Sequence, residues 1–285
     1  MRMMVVSRWA AALGIVTCSA HLRAADPWAD MVVSYDAGSN ADPGYTTAGS
    51  ALGEPTRFSN RSDPFGGVVT PLSPSFATDE TVSIGAGGQL TVRFDEPVTN
   101  HAANPFGIDL LVFGNSFFNG NFFGGPPDFA FNPAAPVTSI TSDGGAIEVS
   151  SDGESFVSVA GAADGLFPTN GFADILSPFT TVEGSVEADF ARPVNPAFDP
   201  VGKTFAQIIA GYEGSGGGWG VDIGAVGLSS ISYVRITNST APVATPDIDG
   251  FADVAPVPEP AASTGWLLGT VLFAWQIRGC RYRSA

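Results

Sequence analysis

Cysteine, lysine and histidine are scarce in this chain of 285 residues. The two cysteines, Cys18 and Cys280, lie near the two ends, so the body between them has no disulfide framework, cysteine-ligated metal or cysteine nucleophile. Lys203 is the only lysine, and His101 is the only histidine outside the N-terminal segment. With one histidine and no Gly-x-Ser-x-Gly sequence around a serine, the body is a poor candidate for Ser-His-Asp hydrolysis.

Basic residues are also few and unevenly placed. All 28 acidic residues lie between Asp26 and Glu259, whereas half of the 12 basic residues lie in the two terminal segments. The body therefore has six basic residues against 28 acidic ones, a formal charge of −22. Such a surface repels the phosphates of nucleic acid and anionic lipids, and it attracts cations. The alternative is a solvated acidic surface that keeps an exported protein soluble.

Amphipathic helix patterns are almost absent from the body, whereas glycine (35) and proline (22) are abundant. Residues 90–94 alternate between apolar and polar, and the apolar run 108–113 suits a central strand. Asp152-Gly153 lies between two strand patterns and predicts a hairpin with a type I′ turn. Residues 205–210 fit a helix or a strand equally well. The sequence predicts an all-β antiparallel β-sandwich over 26–254, with long loops at 114–136 and 160–200.

The N-terminal segment, residues 1–25, has the composition of a secretory signal peptide. Two arginines precede a short apolar run, and small residues follow it up to a predicted cleavage site near Ala24 or Ala25. An N-terminal membrane anchor is the alternative, and the apolar run is short for one. A lipoprotein signal ending at Cys18 is less favoured, because Thr17 is larger than the residue usual at that position.

A second export feature is at the C-terminus. A proline-rich linker, 255–260, ends in Pro258, Glu259 and Pro260, and residues 261–277 contain no charge. A helix of that length spans about 26 Å, enough to cross the apolar layer of a membrane. Three arginines in the tail 278–285 would stay on the cytoplasmic side, leaving the acidic body outside.

The order of Pro-Glu-Pro, apolar span and arginine-rich end resembles the PEP-CTERM sorting signal. The resemblance covers about the last 28 residues. It implies that Pro258, Glu259 and Pro260 are recognised by a membrane protease of the exosortase type. The protein would be membrane-anchored outside the cytoplasm, cleaved near the motif, and passed to the cell surface or an exopolysaccharide matrix. A plain single-pass anchor is the alternative.

The body is similar to bacterial surface proteins with a jelly-roll, galactose-binding-like domain. The matching segments are LLVFGNSF at 110–117, IEVSSDG at 147–153, GVDI at 220–223, ISYVRI at 231–236 and DIDGFADV at 247–254. The insertion at 114–136 departs from the compact pattern of that group. The resemblance implies a jelly-roll-like sandwich with a binding function.

Oxygen-rich side chains form two groups that suit calcium. They are Asp36, Asn40 and Asp42 after the first predicted strand, and Asp247, Asp249 and Asp253 on the last one. By parity the last three share one face of an extended segment. The ends of a jelly roll often lie close together, so the two groups could meet in one structural calcium site. The alternative is a pair of acidic turns whose side chains accept backbone hydrogen bonds.

A glycine-rich stretch at 214–220 contains Trp219. Neither phosphate-loop pattern fits it, so it is predicted to be a flexible surface loop that presents Trp219. Trp219 could stack on the face of a sugar, and a tryptophan packed in the core is the alternative.

These features predict an exported, non-enzymatic binding or structural protein of the cell surface or matrix. Carbohydrate is the expected ligand, and a structural calcium ion is expected to support the binding module. One alternative is a structural or adhesive matrix protein without a small ligand. A second is a secreted glycoside hydrolase, which needs a pair of carboxylates about 5–10 Å apart.

Overall fold

The computed structural model describes residues 26–63, 66–124, 130–241 and 244–254. Within these ranges the strands, in chain order, are β1 (Met31–Asp36), β2 (Phe58–Ser59), β3 (Gly67–Val68), β4 (Val82–Ser83), β5 (Gln89–Thr99), β6 (Leu110–Gly114), β7 (Phe117–Gly120), β8 (Val137–Thr141), β9 (Ala146–Ser150), β10 (Val157–Ser158), β11 (Trp219–Val221), β12 (Ser230–Thr237) and β13 (Asp247–Asp253). The helix α1 (Phe205–Tyr212) precedes β11, and short 3₁₀ helices occupy Ala48–Ala51, Pro105–Gly107 and Gly224–Val226. The predicted predominance of antiparallel β-structure is confirmed.

Two antiparallel sheets share one apolar core. The five-stranded sheet has the order β1-β5-β12-β9-β10, and the four-stranded sheet has the order β11-β6-β13-β4. Leu90 and Val92 of β5 and Val234 of β12 form one buried cluster with Val112 of β6 and Phe251 of β13. Because side chains of both sheets meet in this cluster, the arrangement is consistent with a β-sandwich.

Strand β6 is covered on both faces. It lies between β11 and β13, and all five of its residues are buried. Leu110 and Val112 belong to the core between the sheets, whereas Leu111 and Phe113 pack on the opposite face with Phe190. The prediction of a central strand from the apolar run 108–113 is therefore confirmed.

A second apolar core forms where the two predicted long loops pack with the segments beside them. Strands β7 and β8 pair within or beside the first loop, and helix α1 follows the second. The buried members of this core are Val68, Leu72, Phe118, Phe122, Ala135, Val137, Phe172, Ile175, Val194, Phe205, Ile208 and Tyr212. The loops therefore pack on one another through large aromatic side chains.

Helix α1 resolves the ambiguity at 205–210. Thr204 accepts a hydrogen bond from the Gln207 amide, and the Gln207 side chain accepts one from the Thr204 amide at 2.9 Å. This reciprocal capping box satisfies backbone donors that a helix start leaves free. Ile208 and Tyr212 bury the inner face of the helix, and the Tyr212 hydroxyl donates to the Pro168 carbonyl at 3.0 Å.

The predicted hairpin at Asp152-Gly153 is present, with a longer connection than a type I′ turn. Strands β9 and β10 pair in antiparallel fashion across residues 151–156. Asp152 Oδ1 accepts hydrogen bonds from the amides of Glu154 and Ser155, both at 2.8 Å. Of the two turn residues, only Gly153 has a positive φ, 77°. The carboxylate thus shapes this turn in place of a second left-handed residue.

The predicted signal peptide at 1–25, sorting motif at 258–260, membrane helix at 261–277 and basic tail at 278–285 lie outside the described residues. Among the residues that are described, no helix is long and apolar enough to cross a membrane.

Candidate functional site

The first predicted metal group divides into turn residues and one inward-facing acid. Asp36 is exposed, and its Oδ1 accepts a hydrogen bond from the Gly38 amide at 3.0 Å. Asn40 is exposed and has a left-handed φ of 58°. Asp42 is half-buried, and its Oδ2 accepts a hydrogen bond from the Thr245 hydroxyl at 3.2 Å. Of the three, Asp42 is the one that contacts the segment leading into β13.

The second predicted group, on β13, has three different surroundings. A register shift between Ile248 and Gly250 breaks the alternation on which the parity argument depended. Asp249 is 2% exposed and accepts hydrogen bonds from Thr56 and Ser75. Burial raises the pKa of Asp249 to about 7. Burial, with the charge of Asp109, raises the pKa of Asp253 to about 7.

Asp247 is the acid with an unsatisfied oxygen. The residue is 7% exposed, and its Oδ2 accepts a hydrogen bond from the Asn115 side chain at 3.0 Å. Its Oδ1 is buried without a donor at close hydrogen-bond distance, and the nearby Ser83 side chain opposes the rise in the pKa of Asp247. Burial, with the charges of Asp42 and Asp143, raises the pKa of Asp247 to about 6. The Asp42 amide donates a hydrogen bond to Ser83 Oγ at 3.1 Å, and Ser83 is paired with Asp247 across adjacent strands. The structure therefore brings Asp42 and Asp247 together, one residue from each predicted group.

Two further acids, Asp143 and Asp164, join this place and were missed by the sequence reasoning. Asp164 is fully buried, and it accepts hydrogen bonds from the amides of Ser116 at 2.6 Å and Asp143 at 2.7 Å. Burial raises the pKa of Asp164 to about 7. Burial, with the charge of Asp42, also raises the pKa of Asp143. Asp143-Gly144-Gly145 was the available signal, since such a sequence marks a tight turn.

In the part of the chain that the structure describes, no three histidine, cysteine or acidic side chains already converge at metal-ligand spacing. Asp42, Asp143, Asp164 and Asp247 are thus a group of interacting charges rather than a closed coordination sphere.

Trp219, the predicted ligand-binding residue, forms part of the wall of an apolar groove of about 350 Å³. Its indole nitrogen donates a hydrogen bond to the Ala160 carbonyl at 3.2 Å. Gly161 has a φ of 109°, and a Cβ there would lie 2.0 Å from the indole ring, so only glycine allows this close approach. The other residues that line the groove are Phe118, Val137, Ser139, Ile140, Leu166, Phe167, Pro196, Ala197, Phe198, Asp199, Pro200 and Val201.

The glycine-rich stretch that leads to Trp219 is buried, and the prediction of a flexible surface loop is wrong for it. Gly216, Gly217 and Gly218 are all buried. A Cβ at Gly216 would lie 2.1 Å from the Phe190 ring. The glycines therefore allow the backbone to pass directly over large aromatic side chains, and this packing fixes the start of β11 and the position of Trp219.

The polar groups of the groove are few. Asp199 is its only acid among the described lining residues, and Ser139 contributes a hydroxyl. Asp199 is exposed, and its Oδ1 accepts a hydrogen bond from the Val201 amide at 2.9 Å. An apolar surface with a few polar groups at its edge is the usual composition of a small-ligand pocket.

Comparison with known proteins gave no match to a protein-family model, a curated protein or a solved structure.

Proposed function

We propose that this chain is an exported, non-enzymatic carbohydrate-binding module of the cell surface or extracellular matrix. The observation that carries the proposal is the groove beside Trp219, where aromatic rings and a few polar groups occur together. In this proposal the body is a jelly-roll-like sandwich, as its resemblance to bacterial surface proteins implies.

The chemistry of the groove suits the apolar face of a sugar ring. Trp219 and Phe198 are both half-buried and line the groove, Trp219 packing against the core between the sheets and Phe198 against the second core. A pyranose has a face of C–H groups that packs on such a ring, while its hydroxyls need polar partners at the edge. Asp199 and Ser139 line the groove and would provide those partners.

The negative charge of the body favours a neutral glycan as the ligand. An excess of acidic residues disfavours anionic polysaccharides as it disfavours nucleic acid. A single acid among the described lining residues supports binding over the paired-carboxylate hydrolysis of a glycosidase.

The sorting route is proposed from the C-terminal sequence alone. Pro258, Glu259 and Pro260 would be recognised by an exosortase-type membrane protease, with the apolar span 261–277 as the temporary anchor. Deleting residues 261–285 is then expected to release the body into the medium. Fractionation and immunoblotting of cells that produce either form would show this. A truncated protein that stayed in the membrane fraction would contradict the anchor.

The carbohydrate proposal is tested by screening the purified full-length protein against neutral and acidic glycans. The ligand found is then titrated against Trp219→Ala and Trp219→Phe. We expect the alanine variant to weaken binding about tenfold or more, a loss of about 1.4 kcal/mol, because the stacking surface is removed. The phenylalanine variant retains an aromatic face and should bind with intermediate affinity.

Leu176→Ala is the matched control, because Leu176 is 91% exposed and does not line the groove. It should bind as the unaltered protein does. Absence of binding to any glycan would favour the structural or adhesive alternative. Equal binding by Trp219→Ala and the unaltered protein would place the ligand elsewhere.

A further inference from the structure

The groove beside Trp219 is more apolar than a site for an unmodified sugar needs to be. Among its described lining residues, only Ser139, Asp199 and Trp219 have a nitrogen or oxygen atom in the side chain. Leu166 and Val201, which are 51% and 55% exposed, add large apolar side chains to its walls. A hydroxyl that is buried against such a surface without a hydrogen-bond partner is unfavourable. The supply of partners therefore limits which sugars the groove can accept.

The segment 160–165 occupies the polar edge of the Trp219 indole. The ring nitrogen already donates its hydrogen bond to the Ala160 carbonyl at 3.2 Å. A Cβ at Gly161 would lie 2.0 Å from the ring, and a Cβ at Gly165 would lie 2.8 Å from it, so backbone covers this side of the indole. What Trp219 offers a ligand is therefore apolar ring surface rather than a hydrogen-bond donor.

The segment 196–201, which forms one wall of the groove, has few backbone donors left for a ligand. Pro196 and Pro200 have no N–H group. Three further amides of this segment already donate to groups that lie within three residues of them, and these are the amides of Ala197, Phe198 and Val201. The wall thus presents apolar side chains to the groove and satisfies most of its backbone donors internally.

Two polar side chains are left to pair with a ligand. Asp199 is exposed, and only its Oδ1 is used, by the Val201 amide, so its second oxygen can accept a hydrogen bond. Ser139 is also exposed, and its hydroxyl can donate or accept. An unmodified hexose residue has more hydroxyls than these two side chains can pair. A sugar with fewer free hydroxyls and more apolar surface fits the groove better.

We propose that the groove prefers a neutral hexose residue that has lost a hydroxyl to leave a methyl group, or carries a methyl group on that hydroxyl, as in 6-deoxy and 6-O-methyl sugars. This inference rests on the proposed function and names the class of sugar within it. The methyl group packs on apolar side chains such as Leu166 and Val201, and a remaining hydroxyl donates to Asp199. Fewer polar groups of the sugar are then buried without a partner.

The test compares matched sugars by calorimetric titration of the purified full-length protein. The probes are the methyl glycosides of galactose and of glucose, each beside its 6-deoxy and 6-O-methyl derivative. In at least one of the two series we expect a methyl-bearing derivative to bind about tenfold more tightly than its parent. Which derivative binds more tightly distinguishes loss of the hydroxyl from its capping.

The outcomes separate this inference from the proposed function. Parent sugars that bind as tightly as both derivatives, or more tightly, would overturn the inference and leave a carbohydrate-binding module. No binding by any saccharide, in these series or in the wider glycan screen, would overturn the proposed function and the inference with it.

Val201→Thr tests whether the wall of the groove sets the preference. Threonine has nearly the shape of valine and adds a hydroxyl that a sugar hydroxyl can pair with. The ratio of the two affinities, derivative over parent, should therefore fall about threefold or more. Val182→Thr is the matched control, because Val182 is 73% exposed and does not line the groove, so it should leave the ratio unchanged. A ratio that is unchanged in Val201→Thr, or that falls equally in both variants, would overturn the inference.

Discussion

Replacing Phe113 by alanine is expected to lower the free energy of unfolding by about 3–5 kcal/mol. Phe113 is fully buried on β6, and its ring packs edge-to-face against Phe190 with 5.3 Å between ring centroids. The backbone at Gly218 also passes over this ring. Alanine would leave a cavity between the four-stranded sheet and the segment 160–200, and these neighbours can only partly close it.

Urea unfolding of the full-length protein measures this effect, with Leu176→Ala as the exposed control expected to change stability by less than about 0.5 kcal/mol. Limited proteolysis adds a local reading, because the segment 160–200 docks on the Phe113 face. Cleavage in that segment should become faster in Phe113→Ala. A loss of stability below about 1 kcal/mol would mean that this face is not packed as described.

The core between the sheets was predictable where a strand is regular. In β5, Leu90, Val92 and Phe94 alternate in the sequence and are all buried. The alternation fails at bulges, because one extra residue turns the following side chains to the other face. In β12, Ile231 and Val234 are three residues apart and would face opposite sides of a regular strand, yet a register shift after Ile231 puts both in the same core.

Helix α1 and the second core show a different limit of prediction from the sequence. The pattern at 205–210 was too short to distinguish a helix from a strand, and the deciding signal was the Thr204 and Gln207 pair. The second core is assembled from aromatic residues of separate segments, such as Phe118 on β7, Phe172 in the second loop and Phe205 at the start of α1. No periodicity connects these positions, because they lie far apart in the sequence and meet only when the separate segments pack together.

Only two members of the group formed by Asp42, Asp143, Asp164 and Asp247 were predictable, because the four come from separate segments. Asp42 and Asp247 were selected because each lies within a few residues of another acidic or amide side chain. Asp143 and Asp164 have no other acidic or amide side chain within four residues in the sequence. Their meeting depends on the register of β13 with β6, which places Ile248 opposite Gly114. A Cβ at Gly114 would lie 2.4 Å from Asp164 Oδ1, so glycine leaves room for the buried carboxylate.

The free energy of unfolding is expected to fall as the pH rises from about 5 to about 8.5, and ionisation of the buried Asp249 is expected to be a main cause. Burial raises the pKa of Asp249 to about 7 in the folded protein, against about 3.9 in an unfolded chain. Because the folded pKa is the higher one, the stabilisation is complete below about pH 4 and is lost as pH rises through about 7.

Asp249→Asn removes this titration and isolates it from the other acids with raised pKa values. Between about pH 5 and about pH 8.5, the unfolding free energy of the unaltered protein should fall by about 2–3 kcal/mol relative to that of Asp249→Asn. Urea unfolding of both proteins at each pH, in EDTA, measures it. A pH-independent difference would mean that Asp249 stays ionised in the folded protein, with Thr56 and Ser75 stabilising the anion well enough to offset its burial.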